Sequence, residues 1–131
     1  MKRVMLLFSR RRRRWAAAAL VVLCGCGGGS PSADRQAARA ALESALESWR
    51  KGEEPGALEQ ARPSIHVSDW RRATGVKLGR FEIGDDRAFG TSQRFKVRLW
   101  IESAKGKTRF EPAEYDVVDR PEVVVARVGD R

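Results

Sequence analysis

Apolar and polar positions along the chain follow three successive patterns. Residues 15–23 form an unbroken apolar run directly after a stretch of arginines. Residues 34–51 carry apolar side chains at three- and four-residue steps, namely Ala38, Ala41, Leu42, Ala45, Leu46 and Trp49. Arg39, Glu43, Glu47 and Arg50 occupy the other faces, which predicts a helix with one apolar stripe against a core. Ser32 or Asp34 is placed to cap its start and Gly52 to stop it. Glu43 and Glu47 repel at i,i+4, whereas Glu47 and Lys51 attract at the same spacing. Residues 53–61 predict one or two further helical turns, ended by Arg62-Pro63.

The period then drops to two. Val76, Leu78, Phe81 and Ile83 alternate with polar residues, and the break in phase at Gly79-Arg80 predicts a bulge. Gly84-Asp85-Asp86 predicts a turn. Phe95, Val97, Leu99 and Ile101 alternate with Lys96, Arg98, Trp100 and Glu102, the clearest half-buried strand in the chain. Residues 104–107 supply a turn at Gly106, and residues 108–118 a strand in which Pro112 calls for an edge or a bulge. Asp119-Arg120-Pro121 turns the chain into a final strand over residues 123–128. The expected class is α+β, one N-terminal helix packed on a bent antiparallel sheet of about four strands, with Trp49 and Trp70 in the core. That order of elements is similar to the cystatin-like or nuclear-transport-factor-like roll, and the resemblance implies a helix lying in the curve of the sheet.

Charge changes the picture less than its total suggests. The 131 residues hold 26 Lys+Arg against 17 Asp+Glu, a formal net charge of +9 that would suit a polyanionic partner. Lys2, Arg3 and the run Arg10 to Arg14 account for seven of those cations, and residues 1–25 contain no acid. The rest is close to balanced, so no nucleic-acid partner is expected.

The basic segment, the short apolar run and the small residues after it have the order of a secretory signal. Nine apolar residues are too few to cross a bilayer as a helix, which takes about 20. Leu23-Cys24-Gly25-Cys26 resembles the lipobox of bacterial lipoproteins, with Cys24 standing where Ala or Ser is usual. The resemblance implies cleavage between Gly25 and Cys26, acyl chains on Cys26, and a domain held on a bacterial membrane facing the periplasm or the cell exterior. Residues 1–25 are then a signal peptide, 26–33 a lipidated Cys with a Gly/Ser-rich tether, and 34–131 a small domain. Six tether residues reach about 13 Å as a flexible coil. The chain has two cysteines, and the resemblance implies that one leaves with the leader and the other takes the lipid. A disulfide between Cys24 and Cys26 would be strained, and two thiols without a nearby His make no zinc site.

Candidate chemistry is sparse. His66 is the sole histidine and lies among Ser64, Ser68 and Asp69, with no nucleophile elbow nearby, so it reads as a satisfied surface or loop side chain. Asp85-Asp86 lacks the spaced oxygens of a calcium loop, and no phosphate-binding loop is present. No cofactor or metal is implied. Arg94, Lys96, Arg98 and Trp100 share one strand face and form a candidate contact for a ligand or an anion. Tyr115 with Glu114 and Asp116 is the candidate set for isomerase-type chemistry, but alternation puts Tyr115 on the opposite face from both acids. The expected function is that of a membrane-tethered envelope domain with a binding or structural role, not an enzyme. The alternative is a small pocket enzyme of isomerase or hydrolase type on a cystatin-like roll. Replacing Cys26 by Ser is expected to abolish palmitate labelling and release the protein from the membrane pellet; retention of both properties would rule out lipidation.

Overall fold

A computed structural model describes residues 31–129, so the leader, Gly25 and Cys26 lie outside the described residues. The first element is helix α1, Pro31–Arg50. It begins ahead of the expected boundary, which leaves Ser32 and Asp34 inside the helix instead of at its cap. Asp34 occupies the first turn, where the helix dipole favours an acid, and it pairs with Arg120 at 3.3 Å. The predicted stripe is the buried face: Ala38, Ala41, Leu42, Ala45, Leu46 and Trp49 are all buried. Glu47 pairs with Arg50, one helical turn on, through contacts of 3.0 and 3.1 Å to Nε. Gly52 ends the helix at φ +76°, a conformation that costs a residue with a Cβ dearly. Its N–H donates to the Trp49 carbonyl at 2.9 Å, and that of Glu53 to the Ser48 carbonyl at 3.0 Å, so the left-handed turn meets two otherwise unpaired acceptors.

A 3-10 helix, Pro55–Gln60, supplies the further turns expected after α1. Then follow β1 (Ile65–Ser68), the one-turn helix α2 (Trp70–Ala73), β2 (Lys77–Phe89), β3 (Ser92–Glu102), β4 (Thr108–Val118) and β5 (Val123–Arg127). The sheet has five strands in the order β1-β5-β4-β3-β2. β2 to β5 form an antiparallel meander, and β1 pairs with β5 in parallel, Ile65 opposite Val123 and Val67 opposite Val125. The expectation of about four antiparallel strands is therefore corrected to five in a mixed sheet. The additional strand is the segment around His66. Its alternation Ile65-His66-Val67-Ser68 is only four residues long, and its pairing partner lies some sixty residues later.

A second correction concerns β2. The bulge predicted at Gly79-Arg80 is present as a register shift between Leu78 and Arg80. Gly84-Asp85-Asp86 is not a turn; the strand passes through a second irregularity there and continues to Phe89, and the chain reverses at Gly90, φ +58°. What keeps Asp86 in the strand is tertiary. Its side chain is 2% exposed, with Oδ1 accepting from Arg35 of α1 at 2.5 Å and Oδ2 from Gln93 at 2.7 Å. The Arg35 hydrogen bond holds this carboxyl below its ordinary pKa, against the opposing effect of burial.

Pro112 sits within β4 opposite Arg98, while β5 pairs with β4 only from Tyr115 to Val118. The Glu114 carbonyl accepts from Val128 N at 2.9 Å, so Pro112, two residues earlier, turns its missing N–H toward the same side, past the end of β5. β4 is thus interior along one half and an edge along the other. The α1 stripe joins Leu78, Phe95, Val97, Leu99, Ile101, Tyr115, Val117 and Val125 in one apolar cluster. Trp49 belongs to it and anchors the end of α1 by donating Nε1 to the Val76 carbonyl at 2.9 Å. Trp70 does not belong to it, and its place is described below. No helix among the described residues is long and apolar enough to cross a membrane. Leu42→Ala, at a fully buried position, is expected to cost about 2–5 kcal/mol in urea denaturation, whereas Glu43→Ala on the exposed face should stay within about 0.5 kcal/mol.

Candidate functional site

Asp69 leaves β1 in an extended conformation, φ −136° and ψ 104°, and caps α2. Its Oδ1 accepts from Arg71 N at 2.9 Å and Arg72 N at 3.3 Å. Its Oδ2 accepts from the Tyr115 hydroxyl of β4 at 2.6 Å. Burial pushes the Tyr115 phenol well above its ordinary value of 10.0, and the Asp69 charge and hydrogen bond push the same way. The phenol is therefore held as a donor, and both oxygens of Asp69 are engaged.

Around this pair the remaining charges are balanced. Arg127, at the end of β5, has a side chain 5% exposed, with Nη1 3.9 Å from Asp69 Oδ1 and Nη2 3.5 Å from Glu111 Oε2. Arg71 donates Nε to the same Glu111 oxygen at 3.1 Å. The Arg127 guanidinium lies 4.9 Å from the centre of the Trp70 ring. Two cations thus face two carboxylates. Among the described residues, Trp70 Nε1 and Arg127 Nη1 are buried without a hydrogen-bond partner.

Arg72 faces the other way. It is buried and donates to the Ala45 carbonyl at 3.3 Å, Ser48 Oγ at 3.2 Å and the Glu53 carbonyl at 2.6 Å. Desolvation lowers its pKa, and the partial negative charge at the C-terminal end of α1 favours a cation there. This arginine is a structural bolt between α1 and α2.

Trp70 and Arg127 form one end of a cleft of about 810 Å³ that reaches Lys96, Arg98, Phe110 and Glu114. Lys96 and Arg98 alternate along β3 with the buried Phe95, Val97 and Leu99, so the cleft follows the outward face of the sheet to the point where β5 stops. The structure divides the four predicted contact residues. Lys96 and Arg98 line the cleft, although Arg98 also pairs with Glu82 at 2.5 Å. Arg94 is taken up by Asp116 in a two-point contact of 2.6 and 2.8 Å and by the Phe89 ring at 3.8 Å. Trp100 lies under Arg80 at 4.4 Å and against Phe110 at 5.6 Å between ring centres.

The other sequence candidates are resolved just as plainly. Tyr115 faces inward and is 1% exposed, while Asp116 meets Arg94 on the outward face, as alternation required. His66 is exposed on β1, with Nδ1 2.8 Å from Glu59 Oε1. Asp69 gives it no triad, being committed to Tyr115 and the α2 backbone. Trp70, expected in the core, instead stacks with Arg127 at the cleft wall. The sequence reading missed the joining of Asp69, Glu111 and Arg127. Two local signals were available: Asp before Trp-Arg-Arg is a helix cap, and Arg127 is a cation within a run of valines. Among the described residues no three His, Cys, Asp or Glu side chains gather as a metal site would require. No family model, no curated protein and no solved structure matches this chain.

Tyr115→Phe is expected to cost about 1–3 kcal/mol at pH 8, because it leaves a buried Asp69 oxygen unpaired. Because the folded-state pKa is raised, the contribution of Tyr115 is complete below 10.0 and falls as the pH rises above it, where the unfolded phenol ionises and the native one does not. The stability gap between wild type and variant should therefore narrow above that pH in parallel denaturation curves. A gap constant through pH 11 would argue against this role.

Proposed function

We propose that the chain is an exported, lipid-anchored domain that binds a ligand or an envelope protein through the cleft at Trp70, Lys96 and Arg98, without catalysing a reaction. One observation carries this reading. The space between α1 and the sheet, where an enzyme of the resembled roll would hold its substrate, is filled by Leu42, Leu46, Phe95, Leu99 and Tyr115, each under 2% exposed. The open volume lies on the outward face instead. Tyr115, the residue a pocket isomerase would use, donates to a carboxylate already shared with a helix cap.

The export part rests on the lipobox resemblance and on the charge asymmetry, seven cations and no acid in residues 1–25. α1 starts five residues after Cys26, so an acylated Cys26 would keep the domain close to the lipid surface. The long helix followed by a meander keeps the element order on which the likeness to the nuclear-transport-factor-like roll rests, with the apolar stripe of α1 in the same cluster as the sheet residues.

A photoreactive amino acid placed at position 96 of the full chain in native membranes is expected to capture one discrete species, whereas the same group at Glu43, exposed on α1, captures none. Identical diffuse labelling from both positions would count against a binding role for the cleft.

A further inference from the structure

Contacts between α1 and the sheet fix which end of the domain carries residue 31. Trp49, near the end of α1, donates to Val76 just before β2, and Arg35, near its beginning, meets Asp86 toward the end of β2. Asp34 pairs with Arg120 of the turn between β4 and β5. The first turn of α1, the β2–β3 hairpin and the β4–β5 turn therefore share one end of the domain. The β3–β4 turn at Gly106 lies at the other, about 30 Å away along a 20-residue helix.

The hairpin gives the first of these ends an exposed aromatic ring. Phe89 is 48% exposed. By strand rise it stands about 10 Å past Asp86, slightly ahead of Pro31, which lies about 6 Å past Arg35. The turn behind it is closed by Gly90 at φ +58° and by Ser92 Oγ, which donates to the Phe89 carbonyl at 2.7 Å. The Arg94 guanidinium is 3.8 Å from the centre of the ring and that of Arg87 is 5.8 Å away. Residues 87–94 contain no acid; Arg94 is matched by Asp116 across the sheet, whereas Arg87 is exposed. Behind the tip, Arg35 and Arg120 are more exposed than Asp86 and Asp34, the acids they meet, so guanidinium groups stand outermost, with Glu122 as the exposed acid of the neighbouring turn.

One ring, about 150–250 Å², is too little for a stable protein interface, which takes about 800 Å² from each partner. It is enough beside a surface to which the chain is already held. An acylated Cys26, five residues ahead of Pro31, puts lipid within about 12 Å of this end. An aromatic ring flanked by arginines suits that boundary, with the ring among the first acyl carbons and the cation at the phosphates.

We propose that the β2–β3 hairpin is a second membrane contact, with Phe89 entering the lipid surface and Arg87 meeting lipid phosphate. This rests on the lipid anchor proposed above and adds an orientation to it. The strands run away from the bilayer, and the cleft on the outward face of the sheet opens to the side.

The full chain is recovered in acylated form from bacterial membranes with a benzophenone-bearing phenylalanine at position 89, or at position 105 in the far turn. It is reconstituted into phosphatidylcholine vesicles with or without phosphatidylglycerol and irradiated. Position 89 is expected to capture phospholipid, read as a mass increment on the hairpin peptide, at least about tenfold more than position 105. Phosphatidylglycerol should raise capture at 89 about fivefold, and Arg87→Gln should remove most of that gain. Equal capture at both positions, from a chain that floats with the vesicles, overturns the hairpin contact and leaves the anchor standing. Capture at 89 that phosphatidylglycerol leaves unchanged overturns the role of Arg87. A chain that carries no acyl group and does not float removes the anchor and this contact together.

Discussion

The junction of β1, α2 and β4 depends on the carboxylate of Asp69. Through Oδ1 it caps α2, and through Oδ2 it receives the Tyr115 hydroxyl from β4, 46 residues away in the chain. The bond ties the α1–β1–α2 half of the chain to the meander. It does so from a side chain only 3% exposed, where an unmet oxygen would be costly. Arg72, fixed in direction by that cap, reaches α1, and Arg71 reaches Glu111 on β4. A one-turn helix with no core of its own thus orients three contacts in different directions, because one acid sets where its backbone begins.

The outward face follows from unequal strand lengths. β4 has 11 residues and β5 only five, so part of β4 runs on without a neighbour. Pro112 sits on that bare stretch, where the lack of an N–H costs no ladder bond and discourages pairing with another chain. Trp70 and Arg127 close the gap from below, and the space left over is the cleft. Elsewhere the face is occupied by pairs: Arg94 with Asp116, Arg98 with Glu82, Arg80 over Trp100. A solvent-open pair such as Arg98 with Glu82 adds little stability, but it still matches charge on the face. Of the three cations in alternate positions on β3, Arg94 and Arg98 are thus matched by acids, while Lys96 lines the cleft.

Much of the fold was legible because the hydrophobic pattern is strong where one face is buried. The six stripe residues of α1 and the alternation Phe95, Val97, Leu99, Ile101 identify their elements unaided, and all of them are buried. The Gly79-Arg80 bulge and the Gly106 turn, φ +75°, were legible for the same local reason, a break in phase and a residue suited to positive φ. The failures share a different cause. Asp85-Asp86 carries a turn signal that Arg35 and Gln93 override from other elements. Ile65-His66-Val67-Ser68 is too short to stand out, and becomes a strand because β5 lies beside it. Trp70 looks like core by type, yet the carboxylates that hold Arg127 draw its ring to the edge.

By itself the sequence determined the α+β class, the buried face of the long helix, the half-buried strand that lies between β2 and β4, and the placing of Tyr115 on the face opposite Glu114 and Asp116. Each follows from side-chain period along a continuous segment, which needs no knowledge of what lies opposite. The tertiary structure alone decided the fifth strand and its parallel pairing, the continuation of β2 through Asp86, the Asp69–Tyr115 bond and the location of the cleft. Those depend on groups 7 to 60 residues apart finding one another, and the energy of a buried hydrogen bond or ion pair is set by distance in space, on which sequence separation has no bearing.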